Sequence, residues 1–282
     1  PQTIAVVVGR AEPLGIEVEV RQLDAVKEFP SEVFAVMVGY PGTDGEVFDW
    51  SNLAARAKEA GKFVIMVADL LSLVALKSPA TLGADICVGS TQRFGFPLGF
   101  GGPHAAYIAS GDSFKRTLPG RIVGVSTDRL GNPAFRLALQ TREQHIRRDK
   151  ATSNICTAQA LPAVVASMYA VYHGPEGLTE IVDGLAAKAV RLAQAALRAG
   201  HKLVHRAFLD TISVDFASAD SYSDFLSKCR EHRYGVRTYT CEQLAHRVTI
   251  ALDERTSEEE LENLSSFFGA ATSQAEQAEL GV

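Results

Sequence analysis

Three short apolar runs constrain the fold more than any other feature. Phe34–Val38, Phe63–Val67 and Ile86–Val88 carry no charge and are too brief for buried helices, so they read as strands. The first closes at Gly39 with Pro41-Gly42, and the second runs into Asp69. Between them, Leu53–Ala60 places apolar side chains at helical spacing and stops at Gly61. Apolar strands alternating with helices of this length predict a mostly parallel sheet covered on both faces. Ile4–Val8, closed by Gly9, reads as a further strand, and Ile16–Val20 alternates Ile/Val with Glu as a half-exposed one. Residues 70–77 look helical, and Ala105–Ala109 reads as a strand.

Residues 110–150 read as irregular, with Pro119-Gly120 and Gly131-Asn132-Pro133 as turn markers. A helical stretch follows to about Tyr172 and stops at His173-Gly174-Pro175. A second begins near Glu176 and ends at Gly200. Strand Thr211–Phe216, helix Ser221–His232, strand Arg247–Leu252 and helix Ser257–Phe268 then make a compact α+β unit. Ser257 and Glu260 form a capping-box pattern. The expected organisation is a large-domain portion over 1–160, connecting helices over 161–200, a small α+β domain over 201–270 and a polar tail over 271–282. The large portion is expected to be incomplete at its N-terminus, because the chain opens Pro1-Gln2-Thr3 directly into an apolar run and reads as a piece of a longer polypeptide.

Between Gly83 and His104 a buried strand runs into a glycine-rich loop with a cation, Arg93, just past the strand end. Ligands of open α/β sheets bind outside such strand ends. Gly95, Gly99, Gly101 and Gly102 allow close backbone approach or positive φ. Asp69, at the end of another buried strand, is costly to bury unpaired. It reads either as an N-cap for the segment at residue 70 or as the acid that faces a pyridinium nitrogen in pyridoxal enzymes of this architecture. Such enzymes place a Schiff-base lysine where Arg93 stands. Arginine stays protonated and cannot serve as that nucleophile, though it pairs well with carboxylate or phosphate.

Charge is uneven. The chain carries a net −5, yet Lys115–Lys150 holds nine Lys/Arg against three Asp/Glu, and residues 251–282 hold eight acids against one Arg. The basic band culminates in Arg142, His145, Arg147, Arg148 and Lys150. It is too polar for core and too mixed in sign for a nucleic-acid arm. It suits either an acidic partner or a salt-bridge net between subunits. The glycine loop has no Walker-type lysine, and the sole close histidine pair, His201 and His205, lies in a strand-like context without further metal ligands. Four widely spaced cysteines argue against a disulfide framework. The apolar runs fall well short of a membrane span.

Gly83–Ala106, Lys115-Arg116 with Leu118–Ser126, Gln140–Gln159 and Tyr169–Gly177 together closely resemble the P-protein family of the glycine cleavage system. The resemblance implies a fold-type-I, aspartate-aminotransferase-like large domain with a mostly parallel sheet flanked by helices, plus a small α+β C-terminal domain. It implies a pyridoxal-phosphate-dependent glycine dehydrogenase (decarboxylating) that passes an aminomethyl group to lipoylated H-protein. The likeness is to the N-terminal half, in which Gln92-Arg93 falls where the other half has His-Lys, and Asp69 matches the pyridine-facing acid. On this basis Asp69, Gln92 and Arg93 form a vestigial cofactor site, with Gly99, Gly101, Gly102 and His104 as its loop and no catalytic residue or metal. Pyridoxal phosphate would sit in the other half, with glycine as substrate. The implied partners are the catalytic C-terminal half and H-protein, in a homodimer or heterotetramer, with no nucleic acid or membrane partner. The implied location is intracellular: cytoplasmic in a bacterium, the mitochondrial matrix in a eukaryote. The alternative reading is a non-catalytic docking module using Arg142, His145, Arg147, Arg148 and Lys150.

Overall fold

A computed structural model describes residues 2–22, 26–151 and 156–270, with the Arg142 side chain outside the described set. The elements are α1 (Gln2–Ala11), β1 (Ala35–Tyr40), α2 (Ser51–Glu59), β2 (Phe63–Ala68), β3 (Ile86–Ser90) and β4 (Ala106–Ser110). There follow β5 (Ile122–Thr127), β6 (Pro133–Ala138), α3 (Gln144–Arg147) and α4 (Ala160–Arg198). The chain continues through β7 (Lys202–Leu203), β8 (Thr211–Asp215), α5 (Ala219–Glu231), β9 (Arg237–Thr238), β10 (Arg247–Ala251) and α6 (Glu258–Phe267).

The first sheet has order β1-β2-β3-β4. β1 pairs parallel with β2 and β2 with β3, while β4 returns antiparallel along β3. Val36, Val38, Tyr40, Val64 and Met66 bury one face against Leu53, Ala54 and Ala57 of α2. That α/β layer agrees with the apolar-run reading. The opposite face departs from it: Met37, Phe63 and Ile108 are exposed, so within the described residues the sheet is covered on one side.

Four segments depart from the sequence reading. Residues 4–8 are helical, with Ile4, Val6 and Val8 exposed; with no neighbouring strand among the described residues, the run satisfies its backbone hydrogen bonds as a helix. Residues 16–20 form no strand, and the helix expected over 70–77 shortens to one 3₁₀ turn, Ser72–Val74. Residues 122–138, read as irregular, form a hairpin in which Ile122 lies opposite Ala138 and Thr127 opposite Pro133. Its turn closes on Asp128, whose Oδ1 accepts from the backbone N–H of Leu130 and Asn132 at 2.8 and 2.9 Å.

α4 contains the expected interruption: Gly174 leaves helical geometry at φ 63°, ψ −177°, and Pro175 restarts the helix. Its second half packs on an antiparallel sheet of order β7-β8-β10-β9 with α5 and α6. Leu192, Phe208, Ile212, Val214, Phe225 and Val248 form that core. His201 is buried there, with Nε2 3.0 Å from the Phe268 carbonyl and Nδ1 accepting from Ala217 N–H. His205 instead pairs with Asp44 at 2.8 Å, so the two histidines face different partners. The capping box of α6 is formed: Ser257 Oγ accepts from Glu260 N–H at 3.2 Å, and Glu260 Oε2 accepts from Ser257 N–H at 2.7 Å. Ser257→Ala is expected to cost about 1 kcal/mol, read as a lower urea midpoint at unchanged slope.

Candidate functional site

The parallel strands deliver two charged groups to one end of the first sheet. Asp69 follows β2, its N–H donating to the Tyr40 carbonyl at 3.1 Å. Arg93 lies in the turn after β3, where Phe94 N–H donates to Thr91 O and Gln92 N–H to Ser90 Oγ. Arg93 Nη1 donates to Asp69 Oδ2 at 2.8 Å and also to Asp210 Oδ2. Asp210 belongs to the second sheet's side, immediately before β8. Its Oδ1 accepts from the Thr211 hydroxyl at 2.8 Å, and its backbone carbonyl accepts from Leu252 N–H at 2.9 Å. One guanidinium thus ties the two sheets together through two carboxylates.

Of the two readings of Asp69, the structure shows the capping one, beside an ion pair with Arg93. Its Oδ2 accepts from Ser72 N–H at 3.2 Å, starting the 3₁₀ turn, while also accepting from Arg93. The centre is largely enclosed, with side-chain exposures of 30% for Arg93, 24% for Asp69 and 11% for Asp210. Burial holds the Asp69 carboxyl above the ordinary aspartate range, against the attraction of Arg93 and with added repulsion from Asp210. Burial by itself weakens the Arg93 cation, yet Asp210 and Asp69 more than offset it and raise its pKa. Two carboxylates share one cation, which leaves one negative charge in excess. Arg93 Nη2 is buried without a hydrogen-bond partner among the described residues.

Aromatic side chains wall the centre. Tyr169 of α4 stacks near Phe94 at 5.4 Å between ring centroids and near His173 at 4.4 Å. A Cβ on Gly95 would lie 2.7 Å from the Tyr169 ring, and Gly95 also has φ 78°, so this glycine is fixed by packing. Burial raises the Tyr169 hydroxyl pKa, with Glu254 adding to it. On the sheet itself, Tyr107 donates from its hydroxyl to the Ala68 carbonyl at 2.9 Å and lies 3.3 Å from Cys87 Sγ.

The structure brings Asp69 and Arg93 together, with Gln92 half-buried beside them. It leaves the glycine loop outside: Gly99, Gly101 and His104 are exposed, Gly102 is half-buried, and Phe100 at the loop tip is fully exposed with φ 49°. His145 and Arg147 lie on α3, and Arg148 and Lys150 in the turn that follows; all four are exposed. None makes a hydrogen bond or ion pair with Asp69, Arg93 or Asp210 among the described residues. Sequence reasoning missed Asp210, Tyr169 and Tyr107. The Asp210 signal was an acid inside the apolar run Phe208–Ile212, and the Tyr169 signal was its helical register facing Gly95.

A family model described as Glycine cleavage system P-protein matches residues 1–268. The chain is 45% identical over 271 residues to a putative mitochondrial glycine dehydrogenase (decarboxylating) of Schizosaccharomyces pombe, covering 95% of this chain and 26% of that protein. It is 48% identical over 271 residues to a glycine dehydrogenase (decarboxylating) of Paraburkholderia phytofirmans, covering 96% of this chain and 27% of that protein. The chain therefore spans about a quarter of the length of these relatives. A crystal structure of glycine decarboxylase (P-protein) of the glycine cleavage system, in inhibitor-bound form, superposes with TM-score 0.84 at 33% identity, over 95% of this chain and 62% of that one. A Thermus thermophilus aspartate aminotransferase superposes with TM-score 0.60 at 16% identity, covering 92% of this chain and 71% of that one. The architecture is that of the fold-type-I pyridoxal-phosphate enzymes, with a mostly parallel sheet.

Proposed function

The chain belongs to the glycine cleavage system P-protein family, and from that premise we propose that it supplies the half of a glycine dehydrogenase (decarboxylating) that holds no covalent cofactor. In the whole enzyme, glycine would lose its carboxylate on pyridoxal phosphate held by the other half, and the aminomethyl group would pass to lipoylated H-protein. The whole enzyme would be intracellular.

One observation carries the reading: Arg93 occupies the strand-end position and is bound to both Asp69 and Asp210. The residues here do not fit covalently held pyridoxal phosphate. Arginine keeps its proton, and the carboxyl that would face a pyridinium nitrogen is committed to the Arg93 guanidinium. Asp69, Gln92 and Arg93 are thus read as a converted cofactor site whose present role is to hold the two sheets in register.

A second reading, docking of the catalytic half or of H-protein, is favoured by an unpartnered face. Leu161, Val164, Met168 and Val171 repeat at helical spacing on the first half of α4, and all are exposed. Val123, Val125 and Phe135 on the β5–β6 hairpin are exposed as well. Arg142, His145, Arg147, Arg148 and Lys150 would supply the polar rim, in a homodimer or heterotetramer.

Borohydride reduction of the full-length protein with pyridoxal phosphate tests the first reading. The expected stoichiometric pyridoxyl-lysine maps outside these 282 residues. A stoichiometric adduct on a lysine of this chain, such as Lys115 or Lys150, would overturn it.

A further inference from the structure

We propose that the recess lined by Arg116, Leu139, Thr141 and Arg147 binds phosphate dianion or a small phosphate monoester. The inference is independent of how Arg93 is read, because none of these four residues belongs to that centre.

The recess has a volume of about 300 Å³, at the lower end of small-molecule sites. It is a shallow recess: Arg116, Thr141 and Arg147 are exposed and Leu139 is half-buried. Arg116 is delivered by the turn that links β4 to the hairpin, where Thr117 Oγ1 donates to the Phe114 carbonyl at 2.9 Å. Leu139 follows β6 in the left-handed region, φ 54° and ψ 39°, and redirects the chain into the turn carrying Thr141. Arg147 closes α3, and the next residue, Arg148, again has positive φ. Among the described residues four non-glycine residues have positive φ, and one of them, Leu139, lines the recess, while Arg148 only follows it. Such backbone geometry concentrates at ligand clamps.

Its electrostatics are unbalanced. Neither the Arg116 nor the Arg147 side chain has a hydrogen-bond or ion-pair partner among the described residues. Of the acids nearby in sequence, Asp112 binds Lys115 at 2.6 Å, Asp128 closes its own turn, and Glu143 Oε2 lies 3.7 Å from Arg121 Nε with Oε1 buried and unpartnered, while Asp149 is exposed and makes no ion pair among the described residues. The two like charges lining the recess are exposed and partly screened by water, and an anion between them would remove what repulsion remains. Two guanidinium forks and a threonine hydroxyl offer more donors than one carboxylate can accept, and they match a tetrahedral dianion. The surrounding excess of nine Lys/Arg over three Asp/Glu would raise the local anion concentration.

Arginine labelling with phenylglyoxal in the full-length protein, located by peptide mass spectrometry, tests the site. With inorganic phosphate at ten times its dissociation constant, labelling of Arg116 and Arg147 should fall about tenfold. Labelling of Arg129, exposed on the hairpin turn, should not change, nor should chloride at equal ionic strength protect. Arg147→Gln should abolish phosphate protection of Arg116. Equal protection by acetate, or protection surviving in Arg147→Gln, overturns the proposal. So does the absence of labelling at both arginines without phosphate, since the recess is then filled by protein.

Discussion

Arg93→Ala is expected to destabilise the chain by about 3–5 kcal/mol, the range for removing one partner from a buried charge cluster. The loss is large because two carboxylates are stranded at once. Asp69 retains Ser72 N–H and Asp210 retains the Thr211 hydroxyl, but neither group carries charge. The pH dependence separates this cause from lost packing. Burial already raises the Asp69 pKa, and removing the guanidinium raises it further. A carboxyl whose folded pKa exceeds its unfolded value adds stability below the unfolded pKa and loses it as pH rises through the folded one. The deficit against wild type should therefore be small near pH 4, the unfolded aspartate range, and widen toward pH 7. Urea midpoints across that interval measure it. A deficit that stays constant with pH would assign the loss to packing and refute the charge argument. Arg93→Lys should fall between, since a point cation cannot fork across two acids. Adding Asp69→Asn and Asp210→Asn to an Arg93→Met variant should recover most of the loss.

That centre shows where the sequence is readable and where it is not. β1, β2, β8 and β10 are legible because each buries its own apolar run, so the signal is local. Asp69 and Arg93 stood out because each is a charge at the end of such a run. Asp210 did not, because its partner lies 117 residues away and no spacing rule connects them. α1 was misread because β propensity reports the fit to a neighbouring strand, and Ile4–Val8 has none among the described residues. The β5–β6 hairpin escaped for the opposite reason. Val123, Val125 and Phe135 are exposed, so the hairpin lacks a buried face to impose clean alternation. The loop residues Gly99 to His104 promised a cradle on composition alone. Their backbone in fact turns outward, and the glycine that shapes the centre is Gly95, set by a tyrosine 74 positions later in the chain.

Gly89→Ala is the second large effect expected, at about 3 kcal/mol or more. Gly89 lies inside β3, opposite Tyr107 of β4. A Cβ there would sit 2.1 Å from the Ala68 carbonyl oxygen and 2.5 Å from the Tyr107 ring. The nearer atom is backbone, so no rotamer change can relieve the contact, and β3 must move away from β2. The missing side chain lets the Tyr107 ring cross β3 and donate to Ala68 O at 2.9 Å. Ala68 precedes Asp69, and β3 leads into Arg93, so parting these strands displaces both ends of the Asp69–Arg93 bond. Tyr107→Phe separates the two contributions: it removes one hydrogen bond, worth about 1 kcal/mol, and leaves the strand spacing intact. In a double-mutant cycle, Gly89→Ala and Arg93→Ala should be less than additive, because each weakens the same bond. Additive losses, or a Gly89→Ala midpoint equal to wild type, would mean that the β2–β3 approach does not govern how the centre is held.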